Sequence, residues 1–209
     1  MNDLPTQDLR SNLLTLAVPP CLAPAVAQVM LDSYPIEPFD PGFRGQALET
    51  TYFDTPGSRL RRARHAGKKY LTLRVRKYPR GVYALSAKTE DQKFRIEVSP
   101  NVAEDLLGAN MSSLARFLPG DLLSRLLELT GDDPLVPVVT VRATRYAVED
   151  DQDRITFDLD IATDTGKRLP AGILEFKSTR LDAPPPDFVT RLGLRPIKIS
   201  KFLWAMLWR

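Results

Sequence analysis

Arginine and lysine recur at alternate positions of several short apolar segments in this chain, a spacing that aims cations to one side of a β-strand. Thr72-Leu73-Arg74-Val75-Arg76, Lys93-Phe94-Arg95-Ile96-Glu97 and Glu175-Phe176-Lys177 show it most plainly. Residues i and i+2 of a strand share a face, so Arg74 lies with Arg76, Lys93 with Arg95, and Glu175 with Lys177. Leu73, Val75, Phe94, Ile96 and Phe176 then point the other way. Leu85-Ser86-Ala87-Lys88, Val141-Arg142-Ala143-Thr144-Arg145 and Arg154-Ile155-Thr156-Phe157-Asp158 add Lys88, Arg145 and Arg154 to the set. A sheet assembled from such segments has one apolar face and one cationic face. Like charges on neighbouring strands repel, and a cationic face turned inward needs a polyanion to neutralise it. Guanidinium binds phosphate bidentately and ammonium adds a point charge, so the pattern predicts a chain of phosphates as ligand. Removing one of these crowded cations is then expected to preserve or raise the stability of the unliganded protein. No glycine-rich phosphate loop is present, which leaves side chains rather than helix N-termini to hold the phosphates.

The elements that position these residues follow from the remaining sequence. At 209 residues, 43% hydrophobic and 26% charged, the chain fits a single globular domain over residues 1–209 with a sizeable core. A net charge of +3 is too small for a nucleic-acid wrapper, and the acidic residues gather in loops such as Glu149-Asp150-Asp151-Gln152-Asp153. One cysteine and one histidine exclude an intramolecular disulfide and a Cys/His metal centre. The absence of a signal-like start or a spanning apolar run predicts a cytoplasmic protein that does not itself insert into a membrane, any association with one coming through a partner.

Strands are expected over Leu13–Val18, Ala47–Phe53, Tyr70–Lys77, Val82–Lys88, Lys93–Val98, Val136–Val148, Arg154–Ile161 and Gly172–Ser178. Helices are expected near Leu22–Ser33, Val102–Leu107, Ser112–Phe117, Leu122–Leu129, after Pro184-Pro185-Pro186, and over Ser200–Arg209. Ser58–Ala66 reads as a basic connection.

Taken in order, several motifs resemble one known family. They are Thr51-Tyr52-Phe53-Asp54-Thr55-Pro56, Leu73-Arg74-Val75-Arg76-Lys77-Tyr78, the strand ending in Lys88, Lys93-Phe94-Arg95, Arg145-Tyr146-Ala147, Arg154-Ile155-Thr156-Phe157-Asp158, Leu174-Glu175-Phe176-Lys177 and Ile199-Ser200-Lys201-Phe202. Their succession, over roughly Gln46 to Phe202, resembles the VTC domain. That is the catalytic domain of polyphosphate polymerases, in the triphosphate tunnel metalloenzyme superfamily that also holds the CYTH proteins. The resemblance implies an α+β protein, mainly antiparallel β, built as an eight-stranded tunnel barrel with peripheral helices. It implies phosphate contacts from Arg74, Arg76, Lys88, Lys93, Arg95, Arg145, Arg154, Lys177 and Lys201. Of these, Arg74, Arg76, Lys88, Arg145, Arg154 and Lys177 would act on the transferring phosphoryl group, and Glu175 would hold Mn²⁺ or Mg²⁺.

Polyphosphate, tripolyphosphate and ATP are the expected partners. The leading activity is metal-dependent synthesis of polyphosphate from ATP. The alternatives are a tripolyphosphatase or nucleoside triphosphatase of the CYTH kind, in which water attacks, and a polyphosphate sensor without turnover. Two departures bear on the choice. The first strand, Ser11 to Val18, lacks the Glu and Lys that superfamily members usually carry there, and Ser86 stands where the family often has Glu.

Other residues read more simply. Asp54 is expected in an Asx-type turn. Asp158 and Asp160 alternate on one strand face, as half-exposed carboxylates or as help for Glu175, a help that Glu97 also offers. His65 is expected in solvent, Cys21 as a buried or inert thiol, and Trp204 with Trp208 as core or interface anchors.

Overall fold

Apolar alternation becomes strand, and apolar spacing of three and four residues becomes helix, along the chain in the following order. The elements are β1 (Ser11–Val18), α1 (Ala23–Ser33), β2 (Gln46–Asp54), α2 (Arg59–His65), β3 (Thr72–Lys77), β4 (Tyr83–Lys88), β5 (Lys93–Val98), α3 (Pro100–Leu107), α4 (Leu114–Phe117), α5 (Gly120–Thr130), β6 (Val136–Glu149), β7 (Asp153–Thr163), β8 (Gly172–Ser178), α6 (Asp187–Arg191), β9 (Arg195–Pro196) and α7 (Lys201–Met206). This is a computed structural model, and it describes residues 11–38, 42–67, 69–109, 113–180 and 182–207. Trp208 lies outside them.

The strands form one sheet in the order β5-β4-β3-β2-β6-β7-β8-β1-β9. It has nine strands where eight are expected, the addition being the two-residue β9 beside Leu16 and Ala17 of β1. No ladder joins β9 to β5 among the described residues. Pro196 has no N–H to offer a further strand, which suits an edge position. The expected basic connection at Ser58–Ala66 is instead the helix α2.

The described residues fall into two compact units, 49–141 with 201–207 and 11–48 with 142–200. In the first, Leu73 and Val75 of β3, Leu85 and Ala87 of β4 and Phe53 of β2 turn one face of the sheet into a core. Ala103 and Leu106 of α3, Leu114 of α4, and Leu122 and Leu126 of α5 cover it. Ser99 accepts a bond from the Val102 N–H and Pro100 occupies the first turn, so α3 starts where an N-cap and a residue without N–H are both tolerated.

In the second unit, Val26 and Met30, one turn apart on α1, pack on Leu16 and Val18 of β1, Ile155 and Phe157 of β7, and Leu174 and Phe176 of β8. Gly172 permits this β7–β8 pairing, since a Cβ there would lie 2.6 Å from the Phe157 ring and 2.8 Å from Leu159. In each unit, burying the apolar residues of the strands leaves the alternate residues as a polar face.

Candidate functional site: two polar strand faces

In the first unit, register gathers the predicted cations into cross-strand rows. Residues directly opposite share a face. Tyr52 of β2 pairs with Arg74 of β3, Arg74 with Ser86 of β4, and Ser86 with Arg95 of β5. On one side of this row, Thr72, Lys88 and Lys93 form another. On the other side lie Thr50, Arg76, Ala84 and Glu97. Ser86 is only 4% exposed, so a small hydroxyl rather than a carboxylate stands between Arg74 and Arg95.

The rows are braced by a residue that the sequence reading passed over. Tyr78 continues the Arg74, Arg76 alternation, and its ring lies 5.9 Å from the Arg76 guanidinium carbon and 5.0 Å from that of Arg95. Arg95 also donates to the Tyr78 hydroxyl, and Arg76 Nε donates to Thr50 Oγ1 at 2.9 Å. Two guanidinium groups are thus steered by one aromatic ring and neutral hydroxyls. The alternation itself was the available signal for Tyr78. Lys201, partly buried, opens α7, and its neighbour Phe202 packs on Tyr52 with centroids 5.3 Å apart. That contact brings the start of α7 to the face carrying Arg74.

Asp54 ends β2 at 0% exposure and does more than form an Asx turn. Its carboxylate accepts bonds from the backbone N–H of Thr55, Leu60 and Arg61 at 2.7, 2.8 and 2.9 Å. Thr55 Oγ1 accepts from Arg59 N–H at 3.1 Å. The first turn of α2, rich in arginine and lacking acidic residues of its own, is therefore capped by this preceding strand end. His65 at its end is exposed, as expected.

The second unit presents a different electrostatic arrangement. Arg154 of β7 pairs with Lys177 of β8, and Thr156 pairs with Glu175, which in turn faces Thr15 of β1. Arg145 of β6 donates from Nε and a terminal nitrogen to the two oxygens of Asp158 at 2.6 and 2.7 Å. Arg154 donates to Glu37 Oε1 at 3.2 and 2.6 Å, and its Nε lies 3.6 Å from Glu149. Asp158 and Glu37 are each 3% exposed at the side chain. Asp158 is thus buried and paired, not half-exposed. Asp160, at φ 52°, leaves the extended conformation, so it does not repeat Asp158's position on the strand face.

Glu37 is a partner of Arg154 that the sequence did not disclose. It lies in the Pro-rich loop after α1, which is tied to β6 by the Ile36–Val148 bridge and by Glu37 N–H to the Ala147 carbonyl at 3.2 Å. Cys21 is exposed, against the buried alternative. Its position beside α1 rather than within the core accounts for that.

Whether these residues suit a divalent cation can be tested on their chemistry. Glu175 has hydroxyls on both sides, and Thr156 Oγ1 is buried without a hydrogen-bond partner. No cluster of three or more His, Cys, Asp or Glu able to hold a metal exists among the described residues. One carboxylate with a neighbouring hydroxyl fits a cation that keeps most of its shell as water and phosphate oxygen, not an all-protein metal centre.

No family model matches the sequence, and no curated protein matches it. Solved structures do. The chain is similar to an assigned adenylate cyclase of Bacillus halodurans, at 13% identity and a TM-score of 0.60 over 91% of this chain and 95% of that one. It is also similar to an adenylyl cyclase homologue of Hippeastrum described as having a dominant triphosphatase activity, at 16% identity and a TM-score of 0.62 over 93% and 94%. Likeness at such identities shows the fold alone, an antiparallel sheet with flanking helices of the CYTH-like kind.

Proposed function

We propose that this chain binds a short phosphate chain, either inorganic tripolyphosphate or the triphosphate of a nucleotide such as ATP, and hydrolyses it. The observation that carries the reading is the Arg74–Ser86–Arg95 row, flanked by Arg76, Lys88 and Lys93. Likeness in fold to the Hippeastrum protein supports the hydrolytic choice over polyphosphate synthesis.

In this reading Arg74 and Arg95 take phosphate oxygens from the two sides of Ser86, with Arg76, Lys88, Lys93 and Lys201 as further contacts. Lys177 contacts phosphate on the second unit's face. Arg145 and Arg154 do so only through donors that their carboxylates leave over. Water attacks the terminal phosphorus as the bond to the bridging oxygen breaks; the electron pair and its negative charge leave with that oxygen on the remaining diphosphate, and the water gives up a proton to a phosphate oxygen or to solvent, releasing inorganic phosphate. Fixed guanidinium groups favour that charge without reorganising, and positioning supplies most of the rate. Glu175, with Thr156, would hold Mn²⁺ or Mg²⁺, which when bound neutralises phosphoryl oxygens.

A second reading, binding without turnover, is favoured by one observation. Strand β1 sets Thr15 opposite Glu175 and Ala17 opposite Ile173, so it brings neither carboxylate nor ammonium to these positions. Phosphate release from tripolyphosphate, ATP and long-chain polyphosphate, with Mn²⁺, Mg²⁺ or chelator, separates the two. Metal-dependent release from the short substrates is expected. Tight binding with no release of phosphate from any of them would leave only the second reading.

A further inference from the structure

We infer that the cavity between α2 and α7 binds a small organic anion, one with an oxyanion head and an apolar body. Both helices belong to the first unit. The cavity measures about 300 Å³ and is lined by Arg61, Arg62, His65 and Ala66 on one side and by Leu203 and Leu207 on the other. This ligand is distinct from the phosphate chain of the proposed reaction, and the inference does not rest on that reading.

The lining follows from helical spacing. Arg61 with His65, and Arg62 with Ala66, stand four residues apart, so one face of α2 and of the residue that ends it carries all four. Leu203 and Leu207 repeat that spacing on α7 and just beyond it. One wall is therefore cationic and the other aliphatic. A single exposed leucine is ordinary on a protein surface. Leu207, 61% exposed, is informative because it borders a concavity that two guanidinium groups also border.

The side-chain bonds of these two arginines go to neutral oxygens among the described residues. Arg61 donates from one terminal nitrogen to the Met206 carbonyl at 2.9 Å, and Arg62 donates from one to the Gly57 carbonyl. A guanidinium carries five N–H donors, so most of each fork is left for a ligand. Helix α2 has no acidic residue of its own, and Asp133, near Gly57, is engaged by Arg59 at 2.6 Å. An oxyanion supplies what this wall lacks, since it accepts two parallel bonds from a guanidinium. An apolar body on the same molecule would cover Leu203 and Leu207. The volume lies at the lower end of the range for small-molecule sites, about 300–1,000 Å³, which suits a compact ligand. The arginines are also held in place beforehand, because the buried Asp54 carboxylate fixes the start of α2 and the Arg61 bond ties α2 to the end of α7.

The test follows the methyl resonances of Leu203 and Leu207 in the full chain during titration with octanoate, hexyl phosphate, acetate, inorganic phosphate and 1-octanol. Octanoate or hexyl phosphate should shift both sets of methyls and bind at least about tenfold more tightly than its bare head group and than 1-octanol. The tighter of the two identifies the head as carboxylate or phosphate. Arg62→Gln and Leu207→Asn, both at exposed positions, should each weaken that anion at least about tenfold while keeping the wild-type melting temperature. If one variant does not fold, the other decides. A preference or a loss short of these, or no response of the two sets of methyls, overturns the inference. Tripolyphosphate binding is a separate measurement, so either reading can fail while the other stands.

Discussion

Arg154 and Glu37, 117 residues apart in the chain, meet through two hydrogen bonds from the guanidinium to one carboxylate oxygen, at 2.6 and 3.2 Å, with both side chains nearly withdrawn from solvent. The relationship reverses what the alternation alone suggests about this arginine. Crowded like charges on neighbouring strands predict that truncation relieves repulsion. A paired guanidinium does the opposite, because its loss strands a buried carboxylate.

Arg154→Ala should therefore destabilise the unliganded protein by about 3–5 kcal/mol. Arg74→Ala should leave stability within about 0.5 kcal/mol of wild type and weaken tripolyphosphate at least about tenfold, the loss of about 1.4 kcal/mol. Urea unfolding without ligand and calorimetric titration with tripolyphosphate measure the two effects separately. Equal apo stability of both variants would contradict the assignment of Arg154 to an internal pair.

Asp54→Ala removes the acceptor of three backbone N–H groups at the start of α2. With the carboxylate fully buried, the cost should be at least about 2 kcal/mol, drawn from charge-assisted bonds and the donors left unmet. Asp54→Asn keeps one acceptor oxygen and should lose less. Amide exchange at Leu60 and Arg61 should accelerate in both. A variant with wild-type stability would show that α2 is capped by something else.

Glu175→Gln keeps the size of the side chain and removes its charge. Metal-dependent phosphate release should fall at least about a hundredfold, about 2.7 kcal/mol, while tripolyphosphate affinity measured in chelator changes little, since the cations of β3 to β5 are untouched. Loss of stability with turnover unchanged would mean that Glu175 serves only the fold.

Tyr34 supplies a pH dependence with a definite sign. Burial, followed by the charges of Asp153 and Asp150, raises its phenol above the ordinary value of 10.0. A folded-state value above the unfolded one favours the neutral phenol in the fold. Its contribution to stability is complete below the ordinary tyrosine range and is lost as pH rises through the raised value. As pH rises above the ordinary tyrosine value of 10.0, wild type should lose stability more steeply than Tyr34→Phe. Parallel pH profiles would remove Tyr34 as the source.

Much of this architecture is legible from alternation. The β3, β4 and β5 strands, their face of arginine and lysine, and the apolar residues under α3 and α5 all follow from period-2 spacing, because one buried face fixes the register of each strand. Lys177 and Glu175 follow in the same way. What alternation cannot carry is pairing across long sequence distance. Glu37 sits in a proline-rich loop with no periodicity, and nothing local to it signals Arg154. Asp158 lies on the predicted strand, but only the placement of β6 beside β7 shows that it belongs to Arg145. Strand β9 is too short for a pattern to exist. Helix α2 was obscured because its cap is Asp54, four residues before the Ser58 that flanks the helix.

The central claim is that the cation rows on β3 to β5 bind a short phosphate chain, and ligand-induced stabilisation tests it most directly. Tripolyphosphate at about a hundredfold excess over its dissociation constant should stabilise wild type by about 2.7 kcal/mol, a rise of roughly 5–10 °C in melting temperature for a chain of this size. The rise should be far smaller in an Arg74→Ala/Arg95→Ala double variant and should shrink steeply with added salt. Wild-type protein whose melting temperature does not respond to tripolyphosphate, or responds no more than to equal ionic strength of sulfate, would contradict the account.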